Sequence, residues 1–194
     1  MSPRALTTAL VSLAAVWSQA FTFTIVHVND THSRVEPVVV SGNSYGGLAR
    51  IATLFGQLRK SEVNPVFLHA GDAFQGTIYY NVYKGLADGH LMNLIGFDAM
   101  AIGNHEFDDG PEGFLPFTRQ VSFPIVSSNL DFSAIPELAR RVTPHTVLKI
   151  GKERVGVIGT MTPELPSISA PGAVKMLDLD ASLKASLDAL EKEG

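Results

Sequence analysis

Strand-forming and helix-forming patterns alternate along the chain. Short apolar runs predict strands at residues 21–28, 65–68, 99–102 and 124–126. A hairpin is predicted further on, where apolar runs at 147–150 and 155–158 flank the polar segment 151–154. This alternation favours a layered α/β domain, in which helices cover a sheet.

Apolar residues at helical spacing predict helices between these strands. One helix follows a glycine-rich loop at residues 42–47, and another spans about 85–95. Pro111 suits the first turn of a third helix, because that turn leaves its N–H groups unpaired in any case. A fourth helix is predicted at the end of the sequence, from Leu179 to Leu190. The apolar residues that mark these helices are Leu48, Ile51, Phe55 and Leu58, then Leu91, Leu94 and Ile95, then Leu179, Leu183, Leu187 and Leu190.

Composition excludes several classes of function. The 194 residues include 15 Lys and Arg against 19 Asp and Glu, a formal net charge of −4, and no basic run. Binding to a nucleic-acid polymer through a basic surface is therefore not expected. The absence of cysteine excludes disulfides, thiolate metal sites and cysteine nucleophiles. Any metal must be held by His, Asp, Glu and Asn side chains.

The first twenty residues have the features of a secretory signal peptide. Arg4 precedes an apolar run at residues 5–17, and Ser18-Gln19-Ala20 places small residues at the cleavage positions before Phe21. A membrane anchor is the alternative, but the run is shorter than the roughly 20 apolar residues that a span requires. We expect residues 21–194 to be exported to the extracellular space or the periplasm. Surface anchoring through a longer protein stays open.

Three polar clusters directly follow three of the predicted strands. They are Asp30-Thr31-His32, Gly71-Asp72 and Gly103-Asn104-His105-Glu106. The carboxyl ends of the strands in an open α/β sheet share one edge, where ligands bind. Each cluster alone would also suit a turn or a helix cap. Their matching placement instead predicts a site for a hard or borderline divalent metal, held by oxygen and imidazole donors.

The order of residues in these three clusters resembles the motifs of a known family. The segments VNDTHSR, LHAGDAFQGT and AIGNHEFDDG resemble the ordered motifs of the calcineurin-like metallophosphoesterases, and within them the secreted 5′-nucleotidase and apyrase branch. The narrower likeness rests on Gln75-Gly76-Thr77 and Phe107-Asp108, with support from residues 83–85 and 127–130. It covers nearly all of residues 21–194 and implies a layered α/β sandwich that is incomplete on its C-terminal side.

The resemblance implies two divalent cations and the residues that hold them. Asp30 and His32 would hold one metal, Asp72 would bridge both, and Asn104 would bind the other. Zn²⁺ is expected first, with Mn²⁺, Mg²⁺ and Co²⁺ as alternatives. Two such cations polarise a phosphoryl oxygen and deprotonate a bound water at neutral pH.

The resemblance also implies a catalytic pair. His105 would face the phosphate beside Asn104 and stabilise the charge that develops there, as pre-organised electrostatic catalysis requires. Asp108 would orient the imidazole and favour its protonated form. Arg34, which follows the first motif, is a further candidate for phosphate binding.

Four histidines lie outside these roles. His69 is a candidate to support the metal ligands from behind, and His27 is expected to pack near the site rather than to ligate. His90 and His145 have no supporting neighbours in the sequence and are expected on the surface.

The implied function is the metal-dependent release of phosphate from an extracellular nucleotide such as AMP. Hydrolysis of nucleotide sugars, cyclic nucleotides, or nucleoside di- and triphosphates shares the same motifs and stays open. A non-catalytic secreted binding protein is an alternative of another class. The oligomeric state is not predicted.

Part of the family pattern is missing from the sequence. The family supplies further histidine ligands later in the same domain and recognises the base in a separate C-terminal domain, and no histidine follows His145 here. Residues 21–194 are therefore interpreted as the N-terminal part of a catalytic domain, after a signal peptide at 1–20. On their own they are expected to be inactive.

Overall fold

A computed structural model describes residues 21–194, so the predicted signal peptide lies outside the described residues. The strands of this part are β1 (Thr24–Val28), β2 (Val38–Val40), β3 (Asn43–Tyr45), β4 (Pro65–His69), β5 (Ala99–Ala101), β6 (Ile125–Val126), β7 (Leu130–Asp131), β8 (Val142–Thr143), β9 (His145–Ile150), β10 (Glu153–Ile158) and β11 (Lys175–Met176). Its helices are α1 (Leu48–Ser61), α2 (Ile78–Tyr83), α3 (Leu86–Ile95), α4 (Gly110–Gln120), α5 (Pro136–Ala139), α6 (Leu165–Ile168) and α7 (Leu179–Glu193).

A parallel five-stranded sheet forms the centre of the domain. Its strands lie in the order β1, β4, β5, β6, β8, which is also their order in the chain, and every neighbouring pair is parallel. Helices connect these strands, because a parallel pair needs a crossover that returns the chain to the same end of the sheet. The carboxyl ends of β1, β4 and β5 therefore open into loops at one edge of the sheet, and these loops contain the three polar clusters.

The hydrophobic core lies between this sheet and helices α1, α3 and α4. Phe55 of α1 packs on Phe67 of β4 with ring centroids 4.5 Å apart, and both side chains are buried. Met92 of α3 and Phe117 of α4 are buried in the same cluster. Helices thus cover one face of the sheet behind the loops at its edge.

The predicted α/β layering and the predicted strands of the sheet are confirmed. β1 begins at Thr24 rather than at residue 21, and the predicted hairpin is the antiparallel pair β9–β10. The glycine-rich loop predicted at 42–47 is wrong in part, because Asn43–Tyr45 pairs with Val38–Val40. The glycine-rich segment gives no strand signal in the sequence, because pairing with β2 stabilises β3 and the strand propensity of its own residues does not.

The predicted inner side of α3 needs one correction. Leu91 and Ile95 contact the core, but Leu94 is 72% exposed. The buried side of α3 runs through Asp88, Met92 and Ile95, which recur at helical spacing. Leu94 lies roughly 100° away from Ile95 around the helix and so faces solvent.

The leucines predicted on the last helix are unequally covered. Leu190 of α7 lies against Gly156 of β10, whereas Leu183 and Leu187 are exposed. The sheet face opposite the core is also partly open, and Ile25 and Leu68 line a cavity of about 240 Å³ there. Within residues 21–194, none of the helices combines the length and the apolar character that crossing a membrane would take.

Candidate metal centre

Three loops at the carboxyl edge of the sheet lie in contact through their backbones. Asp30 N–H donates to Gly71 O over 3.0 Å and His32 N–H donates to Asp72 O over 3.1 Å, so the loop after β1 runs beside the loop after β4. The loop after β5 meets them, because a Cβ atom added to Gly71 would lie 2.5 Å from Gly103 N. Only glycine allows the second and third motifs to approach this closely.

The predicted metal ligands of the first two motifs lie on unusual backbone. Asp30, His32 and Asp72 have φ angles of 52°, 46° and 57°, in the left-handed region that residues other than glycine rarely adopt. Such conformations cost free energy and persist where the surrounding structure holds them, which is common at binding and catalytic sites. Here the hydrogen bonds between the loops provide that restraint.

Side chains from all three motifs converge. One donor atom from each of His32, Asp72 and His105 lies within 4.8 Å of the other two. His32 Nδ1 lies 2.9 Å from Phe74 O, and because a carbonyl only accepts, Nδ1 carries a proton, which in the neutral form of the ring places the lone pair on Nε2. Asp30 Oδ1 lies 3.4 Å from that Nε2 atom. The arrangement leaves an imidazole nitrogen and two carboxylates facing one small volume.

The charge of this cluster suits a cation. The pKa of Asp30 is lowered, chiefly by a hydrogen bond from the Asn29 side-chain amide and also by the neighbouring His32, so the carboxyl group is ionised at neutral pH. Asp72 Oδ1 accepts from His105 N–H over 3.0 Å, which fixes its carboxylate against the third motif. Carboxylate oxygens and a neutral imidazole are donors for hard and borderline divalent metals, so the residues present fit such an ion.

The third motif contributes a bonded pair of side chains. Asn104 begins a short 3-10 turn at His105–Phe107, and His105 Nδ1 donates to Asp108 Oδ2 over 2.6 Å. Burial lowers the pKa of His105, but the hydrogen bond and charge of Asp108 outweigh this and raise the pKa above its ordinary value. The His105 ring also contacts the His32 ring edge to face, with centroids 5.0 Å apart. The pair therefore lies directly beside the candidate metal ligands.

Glu106 joins the second motif to the third, although the sequence alone assigned it no role. Its buried carboxyl group accepts from the backbone N–H groups of Asp72, Ala73 and Gly103 over 3.0, 2.8 and 2.6 Å. Burial raises its pKa to about 7, while these N–H groups favour the ionised form and oppose the rise. The side chain fixes the backbone that carries Asp72.

His69 lies behind the cluster, in the position of a group that supports the metal ligands. It is buried, its Nδ1 accepts from Gly71 N–H over 3.1 Å, and its Nε2 lies 3.0 Å from Thr31 Oγ1. Burial lowers its pKa to about 4, so the imidazole is neutral at pH 7. It links the loops after β1 and β4.

The other three histidines lie outside the cluster. His27 lines the cavity on the open face of the sheet and is exposed. His90 is exposed, as expected. The expectation that His145 lies free on the surface is wrong, because it belongs to β9 and is half-buried, with Nε2 3.2 Å from Glu193 Oε1.

Two further side chains adjoin the site. Arg34 is exposed and lines a neighbouring cavity of about 310 Å³ together with Asp30 and Tyr45. Ser169 Oγ donates to Asp108 Oδ1 over 2.8 Å. No local motif marks Ser169, which follows α6 and lies 61 residues further along the chain than Asp108. Only the folded structure brings it to the pair.

These features together define a class of protein. A family model described as "Calcineurin-like phosphoesterase" matches residues 23–174, and the chain belongs to that family. The resemblance carried by the three motifs is thereby confirmed.

Within this family, the chain is similar to 5′-nucleotidases and to an apyrase. The chain is 43% identical to a 5′-nucleotidase of Rattus norvegicus, over 88% of this chain and 32% of the relative. It is 37% identical to an apyrase of Tabanus yao, over 89% of this chain and 32% of that protein. The crystal structure of a 5′-nucleotidase precursor from Thermus thermophilus matches with a TM-score of 0.85 and 46% identity, over 89% of this chain and 35% of that one. The chain thus spans about a third of the length of these relatives.

Proposed function

We propose that the chain carries catalytic residues of an exported, metal-dependent enzyme that releases phosphate from nucleotides, with AMP as the expected substrate. The observation that carries the proposal is the convergence of His32, Asp72 and His105 at the sheet edge, with His105 bonded to Asp108. Family membership and the likeness to 5′-nucleotidases support the class of reaction. We assign the remaining metal ligands and base recognition to the parts of the relatives that this chain does not match.

Two divalent cations are part of the proposal, with Zn²⁺ expected before Mn²⁺, Mg²⁺ or Co²⁺. Asp30 and His32 would hold one ion, Asn104 the other, and the Asp72 carboxylate would be shared. When bound, such a pair supplies an activated water and offsets the charge of the phosphoryl oxygens. A shared carboxylate suits the site because its charge reduces repulsion between the cations, and the neutral Asn104 side chain preserves their positive charge.

The protein's own contribution to the reaction is electrostatic and acid–base. Asp108 holds the Nδ1 proton of His105 and raises the pKa of the imidazole, which increases the fraction that carries a second proton on Nε2. Nε2–H would donate to the phosphoryl group and stabilise the charge that grows on it. The same proton can pass to the departing oxygen of the nucleoside. Arg34, at the rim of the site, would attract the phosphate by its charge.

Two alternatives compete with this function. The likeness to an apyrase keeps nucleoside di- and triphosphates open as substrates, and nucleotide sugars and cyclic nucleotides share the motif set. A secreted binding protein that lost catalysis would keep the fold but would not need His105 and Asp108 bonded to each other. The 2.6 Å contact between them favours the enzyme.

A grafting experiment tests the catalytic role. Residues 21–194 would replace the matching segment of the Thermus thermophilus 5′-nucleotidase, which the TM-score of 0.85 makes a compatible host. The graft should release phosphate from AMP, a chelator should abolish the release, and His105→Ala should lower it by at least about a hundredfold. His90→Ala removes an exposed histidine and should leave it unchanged. A folded, metal-loaded graft without hydrolysis would contradict the proposal and favour the binding protein.

Export is a separate part of the proposal. The apolar segment at residues 5–17 and the small residues before Phe21 favour secretion with cleavage at that point. Terminal sequencing of protein recovered outside the cell should begin at Phe21. Intact Met1 on protein confined to the cytosol would contradict export without affecting the assignment of the site.

A further inference from the structure

We infer that Ser169 is a positioning residue for the bonded pair of His105 and Asp108. Ser169 Oγ donates to Asp108 Oδ1 over 2.8 Å, and Asp108 Oδ2 accepts from His105 Nδ1 over 2.6 Å. Each oxygen of the carboxylate has its own donor, so the plane of the carboxylate is fixed from both sides. The effect on turnover rests on the proposed function, whereas the three-residue arrangement does not.

The backbone around Ser169 is held by packing. Leu165, which begins α6, is fully buried, and Ser169 N–H donates to Leu165 O over 3.0 Å. A few residues later Val174 is buried as well, directly before β11 pairs with β7. The hydroxyl group is therefore presented to Asp108 from an anchored segment.

The Ser169 hydroxyl group restricts rotation of the Asp108 carboxylate. Asp108 and His105 are partly exposed, at 22% and 35% of their side chains, so water competes for both. Without Ser169 the carboxylate could turn, and Nδ1 would no longer be its fixed partner. A neutral imidazole has two forms, and a carboxylate held toward Nδ1 keeps the proton on that nitrogen, so that a second proton can be taken up only at Nε2. Ser169 acts on the imidazole only through Asp108.

Nuclear magnetic resonance of the full chain, labelled with ¹⁵N-histidine, tests this arrangement without any need for hydrolysis. The wild-type chain should show His105 protonated at Nδ1, with a slowly exchanging Nδ1 proton. Ser169→Val should speed the exchange and move the ring nitrogen shifts toward an average of the two forms. Ser169→Thr has nearly the same shape as the valine variant but keeps the hydroxyl, and should retain the wild-type signals.

Two controls separate positioning from a general loosening of the fold. Ser167→Ala removes a hydroxyl of α6, two residues before Ser169, that donates to Glu164 O over 2.7 Å, and should leave the His105 signals unchanged. In an Asp108→Ala background, Ser169→Val should add no further change, because its route to the imidazole is gone. Unchanged His105 signals in Ser169→Val, or equal changes in both backgrounds, would overturn the inference.

Turnover supplies an independent readout in the graft described above. Ser169→Val should lower kcat for AMP by about tenfold with KM unchanged, since a hydrogen bond to a charged group has an effect of this order. Ser169→Thr should recover most of the loss, and an equal loss in both variants would count against positioning. If the resonance differences hold while no graft hydrolyses AMP, positioning is supported and the proposed function fails.

Discussion

Each of the three histidines in or behind the cluster has a hydrogen-bond partner at Nδ1, and that partner decides whether Nδ1 donates or accepts. Nδ1–H of His32 donates to Phe74 O, and Nδ1–H of His105 donates to Asp108 Oδ2. Gly71 N–H instead donates to Nδ1 of the buried His69, which therefore carries its proton on Nε2. The neighbours at Nδ1 thus decide which ring nitrogen is protonated in the neutral form: Nδ1 in His32 and His105, and Nε2 in His69.

The proposed roles of His105 and Asp72 predict opposite effects of their removal. In the active graft, His105→Ala should lower turnover by about 10²–10⁴-fold, the usual worth of an acid–base group, with metal content nearly unchanged. Asp72→Ala should deplete both metals, because its carboxylate is the proposed shared ligand. Elemental analysis beside phosphate-release assays measures both. Metal loss in step with activity loss in His105→Ala would instead make that histidine a ligand, as its place in the 4.8 Å cluster allows.

Asp88 predicts a pH dependence of stability. It is 1% exposed, and burial raises its pKa to about 6 from 3.8, although a 2.9 Å hydrogen bond from Ser33 opposes the shift. The folded state keeps the Asp88 proton that the unfolded state releases, so the free energy of unfolding falls as the pH rises from about 4 to 6. Asp88→Asn, which cannot ionise, should remove roughly 3 kcal/mol of this decline, at about 1.4 kcal/mol per pKa unit.

Denaturant unfolding of both proteins between pH 4 and pH 7, in the presence of a chelator, measures this difference. Asp180→Asn, an exposed change on α7, is the control and should leave the pH profile as it is in the wild type. Parallel profiles for Asp88→Asn and the wild type would show that Asp88 is ionised in the folded state throughout this range.

At the scale of elements, the site depends on how closely the loops after β4 and β5 approach. A Cβ atom on Gly103 would overlap the backbone nitrogen and a carboxylate oxygen of Asp72. Gly103→Ala should therefore destabilise the fold by about 1–3 kcal/mol, as overpacking usually does, and should weaken metal binding. Gly56→Ala is the matched control, since its Cβ would meet nothing within 4 Å on the exposed side of α1.

The control should change stability in the other direction. Alanine is a better helix former than glycine, so Gly56→Ala should stabilise the fold by up to about 1 kcal/mol. Denaturant unfolding and metal titration calorimetry compare the two variants. Metal affinity that is equal in Gly103→Ala and Gly56→Ala would show that the close approach of the loops is not needed for the site.

The elements that the sequence predicts are those with a strong local pattern. Helix α1 and strands β1 and β4 have apolar periodicity of their own, and the three motifs follow strand ends that can be located from that pattern. Strands β7, β8 and β11 are two residues each and exist only through pairing with distant partners, so no local signal marks them. Ser169 has no local signal for the same reason, because its contact with Asp108 depends on the packing of α6.

At the scale of the whole molecule, residues 21–194 alone should show phosphate release near background. The proposed ligands in this part are Asp30, His32, Asp72 and Asn104, which are too few to complete two metal sites, so each cation would keep several waters and bind weakly. Incubating this chain with AMP, ADP or ATP and Zn²⁺, Mn²⁺ or Mg²⁺ measures the release. Turnover that a chelator and His105→Ala both abolish would show that the four ligands suffice.

The order of strands in the sheet bears on how the protein is made. A chain that emerges with its amino end first, from a ribosome or through a secretion channel, releases β1 before β4, β5, β6 and β8, so each new strand can join a neighbour that is already present. Asp30, Asp72 and Asn104 are delivered in that sequence, and Ser169 comes after all of them. The nascent protein would thus bring its candidate metal-binding loops together first. The Ser169 hydroxyl that aligns His105 and Asp108 would become available only after them.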